Sequence, residues 1–596
     1  MSTIKDRLAA LNAQLASDRL TGFVVPLTDE HMSEYVGSYA QRLEWLTGFG
    51  GSAGSAAVIG PRAAIFTDGR YTLQVREQVP GELFEYQDVP QTSAAQWLAD
   101  HAQKGDRIGY DAWLHTRGWA AATGKLLAAK GAELVAVVAN PIDRIWRDRP
   151  APSAARLEVH SEEHAGRSAA DKRAEIAGWL KARGADAVVI TALDSIAWLL
   201  NIRGRDVNRT PVVLAFAIVN ADASVDLFTA PEKLSDDVRA HLGAGVRTHP
   251  RDAFEAALGG FSGKTVVADP ASAVAAIFAA LGDGGAVIVE ARDPCVLPKA
   301  IKNPVEIAGT IAAHRRDGAA LTRFLQWFDA EAPKAQLTEM SAAAKLRQFR
   351  DATNVLEDLS FDTISGAGPN AAIPHYRVSD ESSRPIAIDQ IYLVDSGGQY
   401  RDGTTDVTRT MIVGTPSAEM KDRFTRVLKG HIALARAVFP VGTRGIQLDT
   451  LARQFLWEAG LDYNHGTGHG VGSFLSVHEG PQRIASSPAQ AGSDEPLAAG
   501  MILSNEPGYY KAGEYGIRIE NLVLVELRDV PGAERQMLGF RELTLAPIDR
   551  NLVDITMLSA AERQWLDAYH ARVAAEIGPQ FDEAGQAWLA RATAPI

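Results

Sequence analysis

The sequence predicts a mixed α/β (α+β) fold: two related α/β domains in tandem, then a third domain in which helices cover β-strands. Three observations lead there. At 596 residues the chain is too long for a single hydrophobic core. One order of elements, helix, strand, short apolar stretch, strand, strand, is met twice in the first half. Proline-marked joints follow each copy, at Arg149-Pro150-Ala151-Pro152 and from Asp293-Pro294 to Pro298. The expected domains are therefore 1–149, 150–298 and 299–596.

The first copy opens with Ile4, Leu8, Leu11 and Leu15 at helical spacing, opposite Lys5, Asp6, Arg7, Asp18 and Arg19. This is an amphipathic helix, not a secretory signal. GFVVPL reads as a strand, and after RLEWLTGFGGSAG come the strands AAVIG and AAIFTDGRY. In the second copy KRAEIAGWLKARGA is a helix, DAVVITAL a strand, and VVLAFAIV and VDLFT follow DSIAWLLNIRG. The third domain begins at Asn303-Pro304-Val305-Glu306, an N-cap with proline at the first helical position. Its helix sets Ile307, Ile311, Leu321, Phe324, Leu325 and Phe328 toward a core. A further helix is expected from Thr415-Pro416, with Met420, Phe424, Val427, Leu428 and Ile432 on one face.

Within that domain, IYLVDSGGQYRDGTTDVTRT (391–410) reads as a strand delivering Asp395, a reversal at Ser396-Gly397-Gly398, and a second extended run carrying Asp406. Two carboxylates aimed at one place repel unless they share a proton, pair with a base or hold a cation. His469 in HGTGHGVG, Glu506 in ILSNEPGYY and Glu520 in YGIRIEN favour the cation. Four carboxylates and one imidazole suit Mn²⁺, Co²⁺, Fe²⁺ or Zn²⁺, and five ligands exceed what one catalytic metal with an open position takes. Two ions bridged by shared carboxylates fit the count. IYLVDSGGQY and MILSNEPGYY resemble each other, and each precedes a second carboxylate, which suggests an internal two-fold.

Composition bounds the function. Hydrophobic content of 46% and charged content of 22% are those of a soluble globular protein. A net charge of −13 argues against nucleic acid as a partner. No apolar run of about 18 residues or more is present, so no membrane span is expected and the chain reads as cytoplasmic. A single cysteine, Cys295, excludes internal disulfides and thiolate metal sites and is expected as a small buried apolar residue. Gly50-Gly51-Ser52-Ala53-Gly54 fits G-x-S-x-G, and Gly48-Phe49-Gly50-Gly51-Ser52-Ala53 fits G-x-G-x-x-A. A helix precedes both and a strand follows, the reverse of what a nucleophile elbow or a dinucleotide loop requires.

The segments HYRV, VDSGGQYRDGTTDVTRT, HGTGHGVGSFLSVHEGP, NEPGYY and YGIRIEN resemble those of the pita-bread metallopeptidases, in particular the long three-domain form of aminopeptidase P. WLTGFGGSAG with TDGRY, ALDSIAWLLNIRG and the tail AERQWLDAYHARV extend the likeness to most of the chain. Five ligand types recur in order, with spacings of 11, 63, 37 and 14 residues. The resemblance implies two creatinase-like N-terminal domains and a pita-bread catalytic domain whose extension covers about 533–596.

It also implies the chemistry. Asp395 would hold one metal, His469 and Glu506 the other, and Asp406 and Glu520 both. A hydroxide bridging two divalent ions, manganese first with zinc or cobalt as alternatives, would attack the carbonyl before proline. Glu506 would carry the proton, His375 would stabilise negative charge in the tetrahedral intermediate or pass a proton, and His478 would contact substrate at the proline end. His465 is a further substrate contact, and Arg518 an ion-pair partner or an orienter of carboxylates. The implied substrates are peptides with proline second, and the implied assembly is a homodimer with Arg70 reaching a neighbouring subunit's site. A prolidase cutting only dipeptides and a metal-free peptide-binding module are the alternatives.

Overall fold

The structure is a computed structural model that describes residues 2–89, 91–488 and 492–596. The side chain of Thr3 accepts from the Asp6 N–H while Asp6 accepts from the Thr3 N–H, and this reciprocal cap starts α1 (Ile4–Ser17). The N-terminal region then builds two sheets. The first comprises β1 (Gly22–Pro26), β2 (Ser55–Ile59), β3 (Arg62–Thr67), β4 (Glu85–Asp88), β5 (Arg107–Tyr110) and β6 (Glu133–Ala136). The second comprises β7 (Ala187–Ile190), β8 (Phe216–Asn220), β9 (Val225–Phe228), β10 (Val246–His249), β11 (Thr265–Ala268) and β12 (Val287–Glu290).

Their strand orders are β4-β3-β2-β1-β5-β6 and β10-β9-β8-β7-β11-β12, one pattern shifted by six strands. In each the first strand runs antiparallel to the second and parallel to the fifth. The short helices Arg42–Thr47 and Leu193–Leu200 occupy equivalent places after β1 and β7. The tandem relationship expected from the order of elements is thus present in hydrogen-bonded topology. Ser52 lies between a helix and a strand, and its hydroxyl is bonded to Tyr71 Oη at 2.7 Å and Glu34 Oε1 at 3.2 Å. Cys295 is fully buried, as expected for a small apolar residue.

The chain divides into two compact units: one runs to Glu162 and resumes over Arg167–Val296, and the other takes Glu163–Gly166 and Leu297–Ile596. In the second unit, Asn303 Oδ1 accepts from the N–H groups of Val305 and Glu306, opening the long α2 (Pro304–Glu331). α3 (Glu339–Asp351) follows. β13 (Ile364–Ala367), β14 (Gln390–Ser396) and β15 (Val407–Val413) form an antiparallel sheet in that order. Alternation along β14 serves two cores: Tyr392 and Val394 pack with Phe324 and Phe328 of α2, while Ile391 joins Phe424 and Leu428 of α4 (Ala418–Ala435).

Two local expectations are corrected. Ser396-Gly397-Gly398 does not reverse the chain; the strand direction continues to Tyr400, and the turn lies at Arg401-Asp402, where Tyr400 pairs with Gly403. A Cβ on Gly397 would lie 1.9 Å from Thr405 O, so glycine here admits a neighbouring backbone instead of making a turn. α4 begins after Ser417, whose hydroxyl accepts from Met420 N–H, not at Thr415-Pro416; Pro416 stands just outside the cap.

Further along come β16 (Val438–Pro440), α5 (Gly445–Trp457), β17 (Gly468–His469), β18 (Ile502–Asn505), β19 (Gly508–Lys511), β20 (Tyr515–Arg518), β21 (Asn521–Arg528) and β22 (Met537–Glu542). β16, β22, β21 and β18 make a four-stranded sheet in that order. α6 (Ala560–Ile577) contributes Leu566, Tyr569 and Val573 to the core shared with α4. Among the described residues no helix is long and apolar enough to cross a membrane.

Candidate metal centre

Two strand pairs aim the acidic side chains. Asp395, near the end of β14, is opposite Thr408 on β15, and Asp406 stands one residue before β15 begins. Glu506 directly follows β18, and Glu520 stands one residue before the partner strand β21. Strand ends and strand starts therefore deliver carboxylates in the same way twice. His469 comes from β17, where its N–H donates to Ser504 Oγ at 3.0 Å.

The ligand atoms of Asp406, His469 and Glu520 all lie within 4.8 Å of one another, and all three residues are buried. His469 Nε2 is 3.5 Å from Asp406 Oδ2 and 3.5 Å from Glu506 Oε1. Its Nδ1 lies 3.0 Å from Gly470 O, which as a donor leaves the Nε2 lone pair for the centre. Neighbours orient the carboxylates: Thr408 Oγ1 donates to Glu520 Oε2 at 2.8 Å, and Ser504 Oγ donates to Glu506 Oε1 at 3.1 Å. Arg518 Nη2 donates to Asp395 Oδ2 at 2.7 Å, its Nε to Thr408 Oγ1 at 3.1 Å and its Nη1 to Tyr510 Oη at 2.7 Å.

The electrostatics are those of crowded acids. Burial, then Asp395 and Glu506, hold the Asp406 carboxyl well above the usual carboxylate range. Burial, then Asp406, Asp395 and Glu506, do the same to Glu520. Among the described residues, Asp395 Oδ1 and Asp406 Oδ1 are buried without a hydrogen-bond partner. Buried oxygens that lack a donor, amid acids that oppose each other's ionisation, are what a bound cation would relieve. The residues fit divalent ions.

The histidines expected to meet substrate differ in setting. His478 is half-buried, and its ring meets that of His469 edge-on with centroids 4.3 Å apart. His375 follows the 3₁₀ turn Gly368–Ala372 and is also half-buried. His465 has Nε2 at 2.8 Å from Tyr510 Oη and Nδ1 at 2.8 Å from Gly466 O, while Arg453 holds its carbonyl at 2.7 Å. Arg70 belongs to the other unit; Asp68 binds its guanidinium at 2.7 Å and Tyr71 lies beneath it at 5.2 Å.

Residues 309–526 match the model of metallopeptidase family M24, and 536–596 match the C-terminal region of that peptidase family. Residues 7–145 and 148–306 each match a creatinase/prolidase N-terminal domain. The probable Xaa-Pro aminopeptidase P of Aspergillus niger is 41% identical over 613 residues, covering 99% of this chain and 98% of its own length. That of Laccaria bicolor is 42% identical over 610 residues, covering 99% and 93%.

The chain belongs to the Xaa-Pro aminopeptidase P family.

Among solved structures, the X-prolyl aminopeptidase of Caenorhabditis elegans, described as a cytosolic enzyme with a di-nuclear active site, superposes with a TM-score of 0.95 at 36% identity and full coverage of both chains. As an aminopeptidase P chain it carries supporting residues that sequence reasoning did not single out. Thr408 and Ser504 have no signature of their own. Tyr510 stood in view within NEPGYY, but its hydroxyl reaches both His465 and Arg518 only because β19 pairs with β20.

Proposed function

We propose that this chain is a metal-dependent aminopeptidase that removes the N-terminal residue from peptides whose second residue is proline. The observation that carries the reading is the convergence of Asp406, His469 and Glu520 within 4.8 Å, in a chain similar along its whole length to Xaa-Pro aminopeptidases P. In this reading Asp395 would hold one divalent ion, His469 and Glu506 would hold the other, and Asp406 and Glu520 would contribute to both, with manganese as the working metal. When bound, such ions lower the pKa of a water shared between them and polarise the scissile carbonyl.

The chain's own groups do the rest. Glu506, half-buried and steadied by Ser504, accepts the proton of the attacking water and delivers it to the departing proline nitrogen. His375 and His478 donate to the carbonyl oxygen and to the proline-side peptide, so charge developing during attack meets fixed donors. His465 lines the site through Tyr510, and Arg518 holds Asp395 in place.

Proline explains the specialisation. The bond before it is a tertiary amide with no N–H, so enzymes that grip that N–H lose a hydrogen bond. A site that holds the free α-amine near Asp395 and the ring beyond the cut recovers selectivity and removes one residue at a time. A homodimer, with Arg70 touching longer peptides in a neighbouring subunit, and a cytosolic location complete the proposal.

The test compares Ala-Pro-Pro with Ala-Pro, before and after chelation and metal restoration. Faster release from the tripeptide, abolished by chelator and recovered with Mn²⁺, supports the reading. Faster turnover of the dipeptide would point to a prolidase, and indifference to chelation to a binding module.

A further inference from the structure

Outside the ligand set, one buried ionic cluster touches the site through the chain itself. Glu479 follows His478, and its carboxylate has no exposed surface. Lys302 Nζ donates to Glu479 Oε1 and to Lys299 O, the latter at 2.8 Å. Lys299 Nζ lies 3.1 Å from Glu479 Oε2. The lysine side chains are 3% and 1% exposed, so three charges are withdrawn from water together. Apolar side chains of similar volume generally stabilise a core at least as well as buried ions, which directs attention to what the carboxylate positions.

It positions a loop. Glu479 N–H donates to Gly470 O at 2.8 Å, and Gly470 N–H donates to Gln482 O at 3.1 Å. The residues just before this pair are His469 and His478, whose rings are in edge contact. The backbone is moulded to Glu479: a Cβ on Gly470 would lie 2.1 Å from Glu479 O, and one on Gly472 would lie 3.0 Å from Glu479 Oε2.

We propose that Glu479, clamped by Lys299 and Lys302, is a positioning residue that fixes His478 against His469 for catalysis. The inference rests on the aminopeptidase reading for the role of His478, but the placement it asserts is a separate claim. Glu479 does not touch substrate; it acts through the loop it anchors.

The experiment is a double-mutant cycle on the metal-loaded enzyme. Glu479→Gln is expected to lower kcat/KM on Ala-Pro-Pro by about 10- to 100-fold, as misplacement of a substrate-contacting group does, with metal content unchanged. In the His478→Ala background the same substitution is expected to cost less than about twofold, because the group it positions is already gone. Lys302→Met, which leaves a single ion pair, is expected to act in the same direction and serves if Glu479→Gln does not fold. Full additivity with His478→Ala, or unchanged activity in both clamp variants, overturns the proposal. If the parent enzyme is inert toward Ala-Pro-Pro, the aminopeptidase reading falls. The crystal structure of the clamp variant then still decides: a displaced His478 ring supports the positioning role, and an unmoved ring overturns it.

Discussion

Arg518 reaches Asp395 across 2.7 Å with both side chains buried, and the same guanidinium binds Thr408, which in turn binds Glu520. One cation thus orients two of the acids proposed to hold metal, on two different strand pairs. Arg518→Lys keeps the charge but cannot reproduce a fork with three separate partners. Metal affinity is expected to fall by roughly 10- to 100-fold, the usual cost of losing an orienting partner, and kcat with it. Metal titration monitored by calorimetry, alongside kinetics at saturating Mn²⁺, checks this. Unchanged affinity would reduce Arg518 to a simple structural ion pair.

Asp406→Ala removes the acid that lies within reach of both His469 and Glu520. Loss of metal and of most activity is expected. The N-terminal unit, which shares no strand with this sheet, is expected to stay folded. Metal content by atomic spectroscopy and limited proteolysis of the variant measure the two halves of this expectation, and a fully active variant would remove Asp406 from the centre.

The tandem fold could be read from the chain because strand and helix signals are local: GFVVPL and DAVVITAL each become a first strand, and the short apolar stretches after them become short helices. The convergence of Asp406, His469 and Glu520 could be anticipated because each lies at a strand boundary. What escaped was everything set by long-range pairing. Nothing local in SGG says that Thr405 O crowds Gly397 from the neighbouring backbone, so a turn was expected where the chain runs on. Lys299 and Lys302 look like ordinary solvated lysines at a proline-rich joint; their burial depends on Glu479, some 177 residues away.

The second candidate substrate histidine has an anchor of its own. Tyr376, next to His375, donates to Glu339 Oε2 at 2.9 Å, and the buried Glu339 also accepts from Ala367 N–H, Asn370 Nδ2 and Arg384 N–H. Glu339→Ala strands these donors in the interior, at a cost of about 3 kcal/mol. The catalytic unit is expected to melt earlier, and activity on Ala-Pro-Pro to fall at temperatures where the variant is still folded. Denaturant titration gives the first quantity and kinetics well below the melt the second. Full activity with reduced stability would separate Glu339 from the placement of His375.

Acid sensitivity follows from two buried imidazoles outside the five candidate ligands. Burial, then Arg409 and Arg550, push His570 down to about 3, and burial with Arg409 pushes His431 to about 3. His570 Nε2 accepts from Ile548 N–H at 3.1 Å, so the folded state uses the neutral ring. Between pH 6.5 and the folded value each histidine binds a proton only when unfolded, so stability is present above pH 6.5 and falls as pH falls, by about 1.4 kcal/mol per unit and per histidine. Glu542 opposes them: burial raises it to about 7, so over pH 4.5 to 7 the folded state holds a proton that the unfolded chain releases. Two protons against one leave a net loss toward acid from these three groups. His570→Gln removes one of the two, and its unfolding free energy between pH 6 and pH 5 is expected to fall less steeply than the parent's by about 1.4 kcal/mol per unit. Urea titrations of both proteins at pH 5, 5.5 and 6 measure that difference, and parallel slopes would mean His570 is protonated in the folded chain.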